Sequence, residues 1–197
     1  MAEPVVTVAD VHVQPGESHL LREPAVLRTV LGSCVGVTFW VPRLGAAALC
    51  HPMLPVAPIK HGANIAPAAG RRYVDFAIRE MARRLDVLGA HRAEVQVKLF
   101  GGGDVLLVTN PGSRPTVGKL NIESALRILD SEGFDVTASS LGGTSGVNIQ
   151  FHTATGEVRL RRLDVLAKPC NGERLRCKRD CGLACLNKKC QRGQMCG

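Results

Sequence analysis

Short apolar segments of strand length follow one another along this chain with little but turns between them, and this succession constrains the fold more than any other feature. Val5–Val13, Val26–Leu31, Val35–Val41, Ala46–His51, Val95–Phe100, Val105–Thr109, Val136–Leu141, Val147–His152 and Glu157–Leu163 all read as strands. Pro15-Gly16, Gly32-Ser33, Pro42, the Gly101–Gly103 run and Thr155-Gly156 punctuate them. Only two windows change to a helical period. Tyr73, Phe76, Ala77, Met81, Leu85 and Leu88 share one helical face, with Gly89 as a C-terminal stop. Ile122, Ala125, Leu126 and Leu129 do the same between about Leu120 and Glu132, ahead of Gly133. Strands that outnumber helices and follow one another directly predict an α/β or α+β chain layered around a mixed sheet. The loop from Pro52 to Gly70 is long, irregular and rich in Pro and Gly, the kind of segment that often carries function in a compact domain.

With aromatics at 4%, the core has to come from Val, Leu, Ile and Ala, and 45% hydrophobic against 21% charged residues excludes a wholly disordered or collagen-like chain. No apolar run approaches the roughly 18 residues that a membrane-spanning helix needs. Met1-Ala2-Glu3-Pro4 has neither the basic start nor the apolar stretch of a secretory signal. The expectation is a soluble cytoplasmic protein without membrane insertion.

Charge and cysteine divide the chain in two. Residues 170–197 hold Cys170, Cys177, Cys181, Cys185, Cys190 and Cys196 and a net charge of +5, which leaves +3 and only Cys34 and Cys50 for residues 1–169. The expected organisation is a main domain over 1–166 and a basic, Cys-rich tail over 167–197. The overall excess charge therefore does not make the main domain a nucleic-acid binder. The tail lacks paired CxxC spacing, so zinc, disulfides in an oxidising setting, and a flexible basic extension that assists approach to acidic surfaces all remain open for it.

In the main domain, Cys34 follows Gly32 and Ser33 and precedes a strand, and His51 ends the next strand seventeen positions on. Neighbouring strands would bring thiol and imidazole together. Such a pair suffices for nucleophilic catalysis, because the imidazole removes the thiol proton and an ion pair lowers the thiol pKa. The plainer alternatives are a buried small apolar Cys34 and an exposed strand end at His51. Gly101–Gly103 with Asp104 lacks the Lys-Ser/Thr of a phosphate loop and reads as a packing turn or active-site wall. Cys50, His51 and His61 sketch a metal site without a convincing fourth ligand, so no metal is expected.

Leu31-Gly32-Ser33-Cys34-Val35 followed by His51-Pro52-Met53-Leu54-Pro55 resembles the signature of the CheD family of chemoreceptor glutamine deamidases. The resemblance continues through Lys98–Gly103, Gly118–Asn121, Leu141-Gly142-Gly143 and the Phe151–Gly156 hairpin, covering about residues 5–165. It implies a three-layer α/β sandwich around a mixed sheet, like the deamidase domain of cytotoxic necrotizing factor. It also implies hydrolysis of selected glutamine side chains of methyl-accepting chemotaxis receptors to glutamate, with no cofactor, and a CheC-type phosphatase as a further partner. Carried over by residue, Cys34 is the nucleophile and His51 the general base. The third family residue, a Thr just before LGSC, falls on Thr29, or on Arg28 if the alignment shifts by one. Backbone N–H groups near Gly32-Ser33-Cys34, with the Ser33 hydroxyl, are the expected oxyanion support. Two family arginines are replaced, by Leu120 before Asn121 and by Val147 after the double glycine, which bears on substrate choice. The alternatives are a non-catalytic adaptor that binds receptors or the phosphatase, and a metal- or nucleic-acid-binding role for the tail.

Overall fold

The computed structural model describes residues 8–58, 65–105 and 115–163. By internal contacts the chain divides into Met1–Val165 and Leu166–Gly197, and every described residue belongs to the first unit. The Cys-rich tail, His61 and nearly all of the strand expected over Val105–Thr109 fall outside the described residues.

Among the described residues, nine strands and three α-helices run in the order β1 (Ala9–His12), β2 (Ser18–Leu21), β3 (Ala25–Leu31), β4 (Val35–Val41), β5 (Ala46–Cys50), α1 (Pro67–Gly70), α2 (Val74–Val87), β6 (Gln96–Gly101), α3 (Val117–Ser131), β7 (Val136–Leu141), β8 (Val147–His152) and β9 (Val158–Arg162). The sequence predicts one mixed sheet. The structure has two, of order β1-β3-β8-β9 and β2-β5-β4-β6-β7. Each is mixed, since β1 runs parallel to β3 and β6 parallel to β7 while the remaining pairs are antiparallel. The short polar-led strand β2 carries no apolar run and is absent from the expectation. Helix α3 starts three residues earlier than its apolar period, where Thr116 Oγ1 accepts from the Lys119 N–H and caps it.

Burial sorts the strands into layers. β3 and β8 alternate buried and partly exposed positions, as a sheet with one wet face must. β5 is buried at every residue and β4 at all but one, so the five-stranded sheet is the middle layer. One core lies between the sheets: Leu27, Leu31, Ile149 and Phe151 from one side meet Ala47, Leu49 and Phe100 from the other. A second lies between the middle sheet and the helices, where Val35, Val37, Phe39 and Leu99 pack on Ile78, Met81, Leu85, Ile128 and Leu129. The small Ala46–Cys50 strand suits its place, because it packs on both faces and would overfill either core with larger side chains.

The consequence for Cys34 follows from this layering. β3 belongs to the outer sheet and β4 to the middle one, so Gly32-Ser33-Cys34 is not a hairpin turn but the step from one sheet to the other.

A cysteine turn and a buried histidine between two sheets

His51 sits one residue beyond β5, and the antiparallel pairing of β4 and β5, with Val37 opposite Cys50, carries it to the start of β4. There the Val35 N–H donates to the Pro52 carbonyl at 3.3 Å, so the cysteine turn and the histidine segment run side by side. Side-chain direction alternates along a strand. Cys50 faces the helical core, whereas His51 and Cys34 face the layer between the sheets. Cys50 and His51 therefore diverge. Cys34 is partly buried and His51 is 1% exposed.

Thr29 approaches His51 from the opposite sheet. It lies on the inward face of β3 with Leu27 and Leu31, and its Oγ1 stands 2.8 Å from His51 Nδ1. Arg28, the adjacent alternative, points outward and pairs with Asp10 at 2.7 Å. Thr29 Oγ1 is also 2.7 Å from the Val13 carbonyl. A carbonyl can only accept, so the single hydroxyl hydrogen of Thr29 goes to Val13, and His51 Nδ1–H must donate to Thr29. This fixes the tautomer. The proton is on Nδ1, and Nε2 carries the lone pair. Nε2 is buried and has no hydrogen-bond partner among the described residues. The backbone of His51 is held as firmly, its N–H donating to the Glu17 carbonyl at 2.9 Å and its carbonyl accepting from the Gly16 N–H at 2.7 Å.

Burial pushes the His51 imidazole below its ordinary value, a trend the Val13 carbonyl opposes. Burial likewise pushes the Cys34 thiol up, offset in part by its own backbone N–H. Both shifts favour a neutral thiol beside a neutral imidazole. They run against the ion pair expected from the residue types.

The carbonyls of the cysteine turn are all tied inward. Gly103 N–H donates to Gly32 O and Gly102 N–H to Cys34 O, each at 2.8 Å, and Asn121 Nδ2 donates to Ser33 O at 2.8 Å. Within a trans peptide the C=O and the following N–H point in opposite directions. Fixing these carbonyls against the protein turns the Ser33 and Cys34 N–H groups the other way, and neither donates to another residue among those described. The Ser33 hydroxyl makes no hydrogen bond among them either. Gly32 adopts a backbone conformation open to any residue; the space left by its missing Cβ is taken by Val105, 2.9 Å from where that atom would lie.

The Gly101–Gly103 run is the wall of this turn. Gly101 and Gly102 have φ of +89° and +68°. A Cβ on Gly101 would meet Cys34 O at 2.4 Å, and one on Gly118 in the first turn of α3 would meet Gly102 O at 2.5 Å. Backbone thus packs on backbone from α3 through the glycines to Cys34. Val147 is buried in the inter-sheet core, and its cross-strand partner is Arg162, whose guanidinium lies over Gly143.

Sequence reasoning placed Asn121 only in a helix-start motif. Its Nδ2 bridges the Ser33 and Met53 carbonyls at 2.8 and 2.9 Å, which a single sequence cannot signal. Among the described residues no group of three or more His, Cys, Asp or Glu is placed to hold a metal ion, and no helix is long and apolar enough to cross a membrane.

The chain is similar to known proteins over nearly all of the described region. A family model described as "CheD chemotactic sensory transduction" matches residues 53–162. That span begins two residues after His51, so the match rests on the helices, glycine wall and later strands rather than on the Cys/His signature. A protein of Geobacter sulfurreducens named "Probable chemoreceptor glutamine deamidase CheD 2" is 42% identical over 78% of this chain and 90% of its own length. A "Probable chemoreceptor glutamine deamidase CheD" of Pseudomonas fluorescens is 38% identical over 82% of this chain and 88% of its own. Among solved structures, hypothetical protein YfiH of Bacillus licheniformis aligns with a TM-score of 0.42 and 14% identity, over 64% of this chain and 51% of that one; a likeness this loose has no bearing on the site.

Proposed function

This chain belongs to the CheD family, and from that premise we propose that it is a protein-glutamine deamidase, hydrolysing glutamine side chains of chemoreceptors to glutamate with Cys34 as nucleophile. The observation that carries the reading is the Thr29–His51 hydrogen bond, which leaves the Nε2 lone pair of a neutral, buried imidazole free beside the cysteine turn.

The steps follow from these groups. As Cys34 Sγ attacks the carboxamide carbon, its proton passes to His51 Nε2, so the thiolate forms only in the course of attack. The N–H groups of Ser33 and Cys34 receive the oxyanion, and the Ser33 hydroxyl stands within the same turn to assist. Collapse breaks the C–N bond, His51 Nε2–H protonates the departing ammonia, and a thioester remains. His51 then takes a proton from water as that water attacks the thioester. The second collapse releases glutamate and returns the proton to Cys34. The sum is glutamine and water to glutamate and ammonium, the new carboxyl group giving up its proton to ammonia through solvent, and no step requires a metal or organic cofactor.

For the fold, we infer kinship with the deamidase domain of cytotoxic necrotizing factor; what supports it is the layered α/β sandwich with a Cys and His where the two sheets meet. The deamidase domain spans 1–166, with 167–197 as an appended tail, and its setting is the cytoplasm, where receptor signalling domains are met. A CheC-type phosphatase is the family's implied competitor for the same surface. The decisive experiment incubates the full chain with receptor cytoplasmic domains of its own organism and follows glutamine-to-glutamate conversion by peptide mass spectrometry. Conversion by the native protein, absent with Cys34→Ala and His51→Ala, upholds the reading. A native protein inactive on every receptor sinks it and leaves the adaptor role.

A further inference from the structure

Asn121 is fully buried in the first turns of α3, and three observations about it go together. Its Nδ2 spends both hydrogens on backbone carbonyls of two separate segments, Ser33 in the cysteine turn and Met53 two residues after His51. Both partners are acceptors, so the amide can only sit with its nitrogen there. Its Oδ1 is left buried with no partner among the described residues. An orphaned buried carbonyl is costly, and a side chain chosen for stability alone would not leave one. What the protein gains is a single rigid brace between the strand start that bears the nucleophile and the segment that bears the base.

We propose that Asn121 is a positioning residue for the deamidation: by holding the Ser33 carbonyl it fixes the Ser33–Cys34 peptide with its N–H turned outward as an oxyanion donor, and by holding Met53 it keeps that donor in register with His51. The proposal rests on the deamidase reading above. The geometry distinguishes Asn121 from its neighbour on the same helix face. Ser124, three residues on, also reaches the histidine segment, its Oγ donating to Pro55 O at 2.6 Å, but makes no hydrogen bond to the cysteine turn. Ser124 helps to hold the loop to the helix. Among the described residues, Asn121 is the side chain that ties that loop to the nucleophile turn, alongside the Val35–Pro52 backbone hydrogen bond.

The test uses full-length protein, a receptor cytoplasmic domain, and iodoacetamide labelling of Cys34 read by peptide mass spectrometry. For Asn121→Ala, kcat falls about a hundredfold, the scale of losing one oxyanion donor. KM and the rate of Cys34 labelling both stay within about threefold of the native values, because alkylation needs the thiol but no oxyanion site. Ser124→Ala stays near native in all three. Retention of kcat in Asn121→Ala overturns the proposal. So does a loss accompanied by faster Cys34 labelling and raised KM, which marks a loosened turn, or an equal kcat loss in Ser124→Ala. If the native protein itself deamidates no receptor, the functional reading fails, and the brace is judged by a crystal structure of Asn121→Ala. A rotated Ser33–Cys34 peptide upholds it, and an unmoved one overturns it.

Discussion

Thr29 has one hydroxyl hydrogen, and its destination decides which nitrogen of His51 is the base. With that hydrogen on the Val13 carbonyl, the imidazole must carry its proton on Nδ1. Thr29→Val keeps the shape but removes the hydroxyl that bridges the Val13 carbonyl and the Nδ1–H, leaving them only their long 3.4 Å contact with each other, at a stability cost of about 1–3 kcal/mol. It also frees the ring to change tautomer, so kcat is expected to fall about ten- to a hundredfold. Thr29→Ser, which retains the hydroxyl, is expected to remain within about threefold of native. Steady-state deamidation together with a thermal melt of both variants checks the pair, and equal loss in the serine variant would mean that packing of the methyl group, not the hydrogen bond, is what matters.

Among the elements, β6 and its glycine run support the site most directly. The N–H groups of Gly102 and Gly103 hold two of the three carbonyls of the cysteine turn, and the contact is so close that no side chain fits between. Gly101→Ala meets two obstacles, a φ of +89° and a Cβ 2.4 Å from Cys34 O. The strained backbone alone costs roughly 1–2 kcal/mol, and relief of the clash has to move Cys34. The expected result is a lower melting temperature and a kcat loss larger than that stability change explains, measured at a temperature where the variant is fully folded. Gly89→Ala serves as the control: its φ is +77° but nothing lies within 4 Å of the new Cβ, so it should lose stability and keep its activity.

For the whole molecule, burying His51 as a neutral ring makes folding stability depend on pH. Its folded pKa lies below the ordinary value, so the unfolded chain binds the proton more readily. Stability is then full above the ordinary imidazole value, about 6.5, and declines as pH falls from there through the lowered folded value. Melting temperatures measured between neutral and mildly acid pH should drop less for His51→Gln than for the native protein; an equal drop assigns the acid sensitivity to other groups. The same scale governs the tail. Truncation after Lys168 should leave kcat on a purified receptor domain within about twofold of the full chain, whereas collapse of activity would place part of the working domain beyond residue 166.

Much of this was legible in the chain itself. Strand-length runs such as Val35–Val41 and Val147–His152 and the helical stripe from Tyr73 to Leu88 appear where apolar periodicity put them, because each element must present an apolar face at its own period. The side-by-side course of the cysteine turn and the histidine segment followed from two adjacent strands. The short strand β2 escaped notice because four residues with a polar start have no period to read. Burial patterns held a clue that two sheets were present: Ala25–Leu31 alternates with an outward Arg28, while Ala46–Cys50 is small and apolar throughout. Linear sequence by itself determined which residues can do chemistry and in which elements they lie, since identity and period are local properties. Only the tertiary structure decided that Gly32-Ser33-Cys34 steps between sheets, that Thr29 rather than Arg28 meets His51, that burial opposes charge on both thiol and imidazole, and that Asn121 braces both segments. Each of these depends on burial and on contacts between residues 16 to 88 positions apart, and such contacts exist only once the layers close.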